Sequence, residues 1–264
     1  MKQEKQNTIY PPAVVRALEI LNFLAENMSP LSLKEISEAM KIPHASTYRI
    51  VKCLESYGYI RESPNQSDKY KLGFRPAFMA KMAFDGVDLI TVAVPYIKDL
   101  AYETCQACQL CALNDSYIIT LDQSLPVEAI TIIAKLGESI PINVSASGKI
   151  LVALLPPNKR RELLEKGWFT YRKNTEHTII VLERFLAHLE EVSLNMYGTD
   201  FEEFSIGIGC LAVPIFDHMD NPIAAIGLTG PIENYRNKLK FDQMLRALNE
   251  ASDGISKQLY STRK

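Results

Sequence analysis

The chain has 264 residues, 47% of them hydrophobic and 23% charged, with a formal net charge of -2. That length exceeds the usual single domain, and the apolar content is ample for two cores. No apolar run reaches the roughly 18 residues of a membrane span, and no signal-peptide core follows the polar start Met1–Asn7. Five cysteines, an odd count, show no regular disulfide framework, so reduced thiols and a cytoplasmic setting are expected. The charge is uneven. Residues 1–80 carry 11 Lys and Arg against 8 Asp and Glu, whereas residues 81–264 carry 18 against 23. The front of the chain is therefore basic, which suits a polyanionic partner.

In chain order, Pro11-Pro12 precede a helix expected from Ala13 to Asn27. Its apolar stripe Val14, Ala17, Leu18, Leu21, Leu24, Met28 is expected to pack on Ile36 and Leu54. Ser32 and Glu35 form an S-x-x-E capping box that opens a second helix. A break at Lys41-Ile42-Pro43 leads into a third, from His44 to Tyr57, ended by Gly58. Two strand-like runs, Tyr59–Arg61 and Lys69–Leu72, flank the turn-rich Ser63–Asp68. Two short helices with a tight break, then a hairpin, describe a winged helix-turn-helix.

Such a unit places its second helix in the DNA major groove. Ile50, Leu54 and Tyr57, with Val51 beside them, are expected to be buried. The opposite face and first turns offer His44, Ser46, Tyr48 and Arg49 to base edges, with Arg49 suited to a bidentate guanine contact. Ser46 and Thr47 either cap the helix or touch phosphates, and Lys52, Lys69 and Lys71 are suited to phosphates. A winged-helix protein-interaction module is the alternative; the cluster of Lys41, Arg49, Lys52, Arg61, Lys69, Lys71 and Arg75 favours DNA.

Pro76–Phe84 reads as a short amphipathic linker helix whose Phe and Met face is expected to meet a second subunit. The expected domains are thus residues 1–75, a linker at 76–88, and a second domain at 89–264. In the latter, helices are expected at Leu89–Thr104 (with Pro95 near its first turns or dividing it), Gly148–Leu155, Lys159–Lys166, Leu182–Asn195 and Leu239–Tyr260. Strands are expected at Gln109–Leu113, Tyr117–Gln123, Ala129–Lys135, Cys210–Phe216 and Ile223–Thr229. This is an α+β pattern with an antiparallel sheet.

Small residues at Ser145–Gly148, opening a helix, can bind a carboxylate through free backbone N–H groups; an ordinary Ser cap is the plainer reading. Cys210, Ala212 and Pro214 share one strand face, and Ala225, Gly227 and Thr229 share another. Cys105-x-x-Cys108-x-x-Cys111 leaves a thiol- or metal-responsive switch as an alternative. Zinc would need a fourth ligand, though, and His177, His188 and His218 are scattered far downstream. No metal site or cofactor is expected. Without a G-x-S-x-G motif, or a histidine near Cys210, an enzyme is disfavoured, and Glu202-Glu203 read as a charged loop at a pocket mouth. Trp168 reads as a packing residue.

Four segments in this order resemble the IclR family of bacterial transcriptional regulators over nearly the full chain. They are Ala13–Leu21; Leu31–Ile36, running through Thr47–Arg49 and Gly58–Ile60 to Tyr70–Gly73; Pro141–Lys149; and Asp200–Ala212, continuing to Thr229–Pro231. His44 stands where Lys is common and Ala45 where Ser is common, changes that bear on the operator sequence rather than the docking mode. The resemblance implies a GAF-like effector-binding domain, a homodimer or homotetramer, a (pseudo)palindromic double-stranded operator, and control by a small-molecule effector such as an organic acid. It implies that Ala146, Ser147, Asp200, Cys210, Gly227 and Thr229 line the ligand. Gly227 is often Ser in the family, so a larger or less polar ligand is expected.

Overall fold

The computed structural model describes residues 10–27, 29–64, 66–83, 89–114, 117–126, 136–137, 139–165 and 173–261. The chain divides into two compact units, Met1–Val87 and Asp88–Lys264.

The first unit contains α1 (Pro12–Glu26), β1 (Leu31–Ser32), α2 (Leu33–Met40), α3 (His44–Ser56), β2 (Ile60–Ser63), β3 (Gln66–Leu72) and α4 (Arg75–Ala83). The capping box forms as expected: the Glu35 N–H donates to Ser32 Oγ at 3.2 Å, and the Ser32 N–H donates to Glu35 Oε2 at 2.7 Å. Lys41, in the left-handed region at φ 54°, turns the chain between α2 and α3. The hairpin β2–β3 forms, and the two-residue β1, which periodicity does not reveal, pairs with β3 in an antiparallel sheet ordered β1-β3-β2.

Two helix faces are rotated from expectation. In α1 the core side is Ile20 and Leu24, while Val14 (54% exposed) and Leu18 (57%) face outward. In α3 the fully buried residues are Thr47 and Val51; Ile50 and Leu54 only flank the core, and Tyr57 is 71% exposed. Burial here is set by α1, α2 and the β2–β3 sheet together, so the best-packed face need not coincide with the most apolar one. Met28 lies outside the described residues.

The second unit contains α5 (Leu89–Thr104), β4 (Ala107–Asn114), β5 (Tyr117–Ser124), β6 (Ser139–Pro141), a 3₁₀ turn at Ile142–Val144, α6 (Ala146–Ala153), α7 (Pro157–Glu165) and α8 (Leu182–Asn195). After these come β7 (Gly198–Phe201), β8 (Ile208–Phe216), β9 (Pro222–Pro231), α9 (Ile232–Arg236) and α10 (Lys238–Ser261). The six strands form an antiparallel sheet ordered β6-β5-β4-β9-β8-β7. Helix α6 packs on β7, β8 and β9 and against α8, while α10 packs on β8 and against α5. Pro95 sits inside a continuous α5. The strand expected at Ala129–Lys135, Lys166 and Trp168 lie outside the described residues. Among the described residues no helix is long and apolar enough to cross a membrane.

Candidate functional site

On the first unit, α3 presents His44, Tyr48 and Arg49 as exposed side chains, with Ser46 half-buried. Thr47 corrects the expectation. It has no exposed surface, and its hydroxyl donates to the carbonyls of Ile42 (3.5 Å) and Pro43 (3.4 Å), so it packs under the helix and is unavailable to a phosphate. Lys52 is half-buried: its Nζ pairs with Glu55 at 2.7 Å and lies 5.3 Å from the Tyr70 ring centroid. That hydrogen bond to Glu55 is the main reason its ammonium is held above the usual lysine range. Lys69 and Lys71 flank the buried Tyr70 on β3, on the opposite side of the strand.

In the second unit one cavity of about 100 Å³ gathers residues from four distant segments. Ser145, Ala146 and Ser147 of the α6 start, Asp200, Phe204, Cys210, Gly227 and Thr229 all line it, as do Gln109 and Cys111 of β4. Strand pairing explains the convergence. Asp200 is directly opposite Cys210, Cys210 opposite Thr229, and Ala212 opposite Gly227. Paired antiparallel residues project to the same side. The Cys210 and Thr229 sets, each on one face of its own strand, therefore lie on the same side of the sheet.

Two parts of the cavity lining differ chemically. In one, Ser145 caps α6 by accepting from the Gly148 N–H at 3.2 Å. The N–H groups of Ala146 and Ser147 have no acceptor within the helix and carry its positive dipole end. In the other, Asp200 Oδ1 accepts from the backbone N–H groups of Glu203 (2.6 Å) and Phe204 (3.2 Å). Its Oδ2 has no hydrogen-bond partner among the described residues. Burial raises this carboxyl to about 6, partly opposed by the charge of Lys149. Thr229 Oγ1 donates to Cys210 Sγ at 3.3 Å. Burial, and then the neighbouring Asp200 charge, push the Cys210 thiol far up, so it stays protonated.

Gly227 lines the cavity, and a β-carbon there would lie 3.0 Å from Ala212 Cβ and 3.1 Å from the Leu211 carbonyl, so a side chain at this position would crowd β8. Glu202 and Glu203 are also not a solvated loop. Both are buried: Glu202 accepts from the Gly207 N–H (2.8 Å) and Arg236 (2.5 Å), and Glu203 pairs with Lys149. Sequence reading missed Lys149, although a single cation within the apolar Ile150–Ala153 context was a visible signal.

Cys105 is exposed, and Cys108 and Cys111 point to opposite faces of β4. Burial raises both buried thiols, Cys111 to about 11. Among the described residues no cluster of three or more His, Cys, Asp or Glu side chains is arranged to hold a metal ion.

Residues 81–257 match the model of the bacterial transcriptional regulator IclR C-terminal domain, and residues 13–64 match the IclR helix-turn-helix domain. The HTH-type transcriptional regulator KdgR of Escherichia coli is 26% identical over 247 residues, covering 94% of this chain and 92% of its own. The solved IclR of Thermotoga maritima shares the fold with a TM-score of 0.71 at 24% identity, covering 93% of this chain and 98% of its own. An IclR homologue from Microbacterium hydrocarbonoxydans, solved with 4-hydroxybenzoate, superposes with a TM-score of 0.72 at 23% identity, covering 94% and 98%. Two family domains in the matching order over both structural units decide the assignment. The chain belongs to the IclR family and is a transcriptional regulator that binds DNA and a small-molecule effector.

Proposed function

We propose that the cavity under α6 is the effector site and that it takes a small organic acid carrying a hydrogen-bond donor at its far end. The anionic end meets the free N–H groups of Ala146 and Ser147, and the donor meets Asp200 Oδ2, with Cys210, Gly227 and Thr229 forming the wall between them. One observation carries this reading: the N-terminal turn of a helix and a carboxylate with an unpartnered oxygen line the same cavity. A backbone anion site needs no Arg or Lys in the lining, and none is among the described lining residues.

On the DNA side, His44, Ser46, Tyr48 and Arg49 address base edges, and Lys52, Lys69 and Lys71 address phosphates. The protein acts in the cytoplasm as a homodimer or homotetramer on a (pseudo)palindromic operator and does not turn over what it binds. Ligand binding alters the relative placement of two recognition helices through α4. A coupling of about 1–3 kcal/mol is typical of such control, and operator half-sites roughly 34 Å apart make affinity sensitive to that placement.

The test is a thermal-shift screen of small organic acids, with 4-hydroxybenzoate among the first. Hits are then titrated into a binding assay on an operator selected from random duplex DNA. A rise in midpoint with a change in operator affinity supports the reading. A ligand that binds in the cavity and leaves operator affinity unchanged refutes the coupling, and recovery of a chemically altered acid refutes the absence of turnover.

A further inference from the structure

Lys149 lies inside the helix α6, has no exposed surface, and does not line the cavity. Its Nζ donates to the Thr199 carbonyl at 2.8 Å and to the Glu203 carboxylate. These two partners bracket Asp200. Thr199 is the residue before it on β7, and the Glu203 N–H is one of the two donors that occupy Asp200 Oδ1. One ammonium therefore grips both the strand that carries Asp200 and the loop that fixes one of its oxygens, leaving Oδ2 without a backbone donor and with the Cys210 thiol as its neighbour.

We propose that Lys149 is a positioning residue for the effector cavity: by clamping Thr199 and Glu203 it keeps the Asp200 carboxylate ionised and aimed, and so restricts that wall to ligands presenting a hydroxyl or amine donor. The inference rests on the reading of the cavity as the effector site. An isolated buried carboxylate tends to neutralise itself, and a nearby cation is the ordinary remedy. The charged and titratable groups facing Asp200 are Lys149 on α6, Glu203 in the following loop, Cys210 on β8 and Tyr235 on α9, while His188 on α8 faces Lys149. Of these, Lys149 opposes the effect of burial most strongly, and Glu203 reinforces it. An effector carboxylate at this wall would meet a net negative charge, because Lys149 is already matched by Glu203.

The two neighbours act in opposite directions, which separates positioning from simple structural support. The Asp200 carboxyl titration is followed by carbon-13 NMR in the full-length, ligand-free protein, assigned with Asp200→Asn. Lys149→Met raises the midpoint by about one pH unit or more, Glu203→Gln lowers it, and Lys149→Arg leaves it near the parent value. Shifts of the same sign in Lys149→Met and Glu203→Gln, or no shift in Glu203→Gln, overturn the proposal. If Lys149→Met does not fold, Glu203→Gln and Lys149→Arg decide it.

Calorimetry with 4-hydroxybenzoate and benzoate as probes reads the consequence. The preference for the hydroxylated acid falls by about tenfold in Lys149→Met, the scale of one hydrogen bond to a charged group, and is retained in Lys149→Arg. An unchanged preference overturns the proposal. The titration needs no ligand, so its failure refutes the positioning role, whereas failure of every acid to shift stability refutes the effector reading instead.

Discussion

Gly198 of β7 passes directly beneath Ala146 of α6: a β-carbon at position 198 would run into the Ala146 carbonyl oxygen and crowd the Ile150 backbone nitrogen. The contact sets the height of the helix over the sheet. It thereby brings the N-terminal turn of α6, with Ala146 and Ser147, to the same cavity as Asp200, two residues along the same strand.

Gly198→Ala is therefore expected to destabilise the second unit by about 1–3 kcal/mol, the usual cost of overpacking against backbone that cannot yield. Because the helix must lift, it should also weaken binding of any acid found in the screen. Denaturant unfolding and calorimetry check both. Full stability with full affinity would mean that the helix height is not set here.

Asp200 predicts a pH dependence of stability. Its folded carboxyl is raised to about 6 from 3.8, with burial as the first cause. A raised acid takes up protons on folding, so its favourable contribution is complete below about pH 4 and is lost as pH rises through about 6. The gap corresponds to roughly 3 kcal/mol. Asp200→Asn keeps an acceptor for the Glu203 and Phe204 N–H groups and removes the titration. The fall in unfolding free energy between about pH 4 and 7 should then flatten relative to the parent, as followed by chemical denaturation across that range.

Arg49 and Lys69 should fail in different ways. Arg49→Ala is expected to weaken binding to the selected operator by about 1–3 kcal/mol and to relax the preference at one base pair. Lys69→Ala should weaken all duplexes alike and lower the slope of log affinity against log salt by about one. Fluorescence anisotropy over a salt series on matched and scrambled duplexes separates them. Equal losses on both duplexes for Arg49→Ala would mean that this arginine reads no sequence.

Cysteine accessibility discriminates a thiol sensor from a metabolite sensor. Cys53 and Cys105 are exposed, while Cys108 and Cys111 are buried and Cys210 is held protonated in the cavity wall. Iodoacetamide followed by mass spectrometry should label Cys53 and Cys105 in the native protein and the other three only after unfolding. Prompt labelling of Cys111 or Cys210 would revive a redox role.

Much of this architecture was legible from local pattern. The S-x-x-E box at Ser32 and Glu35, the Lys41–Pro43 break and the strands around Asn221-Pro222 are signalled by residues within one or two turns of each other, and they appear where expected. Strand β7 was not legible, because four residues at a sheet edge carry too little alternation to stand out. The rotation of α3 that hides Thr47 and exposes Tyr57 was likewise invisible. It depends on what α1 and the hairpin present to the helix, which no periodicity within the helix records.

Propensity, capping and motif order along the chain carry the two-domain order, the helix-turn-helix with its basic face, the α+β second domain and the family resemblance. That Asp200, Cys210 and Thr229 stand side by side follows from the pairing of β7, β8 and β9, which no local pattern records. Register and burial also set Gly227 opposite Ala212 and bury Lys149 against Glu203, outside the cavity lining. Strand register and burial are properties of residues distant in sequence, and the low dielectric they create, rather than residue identity, sets the charge of the Asp200 carboxyl.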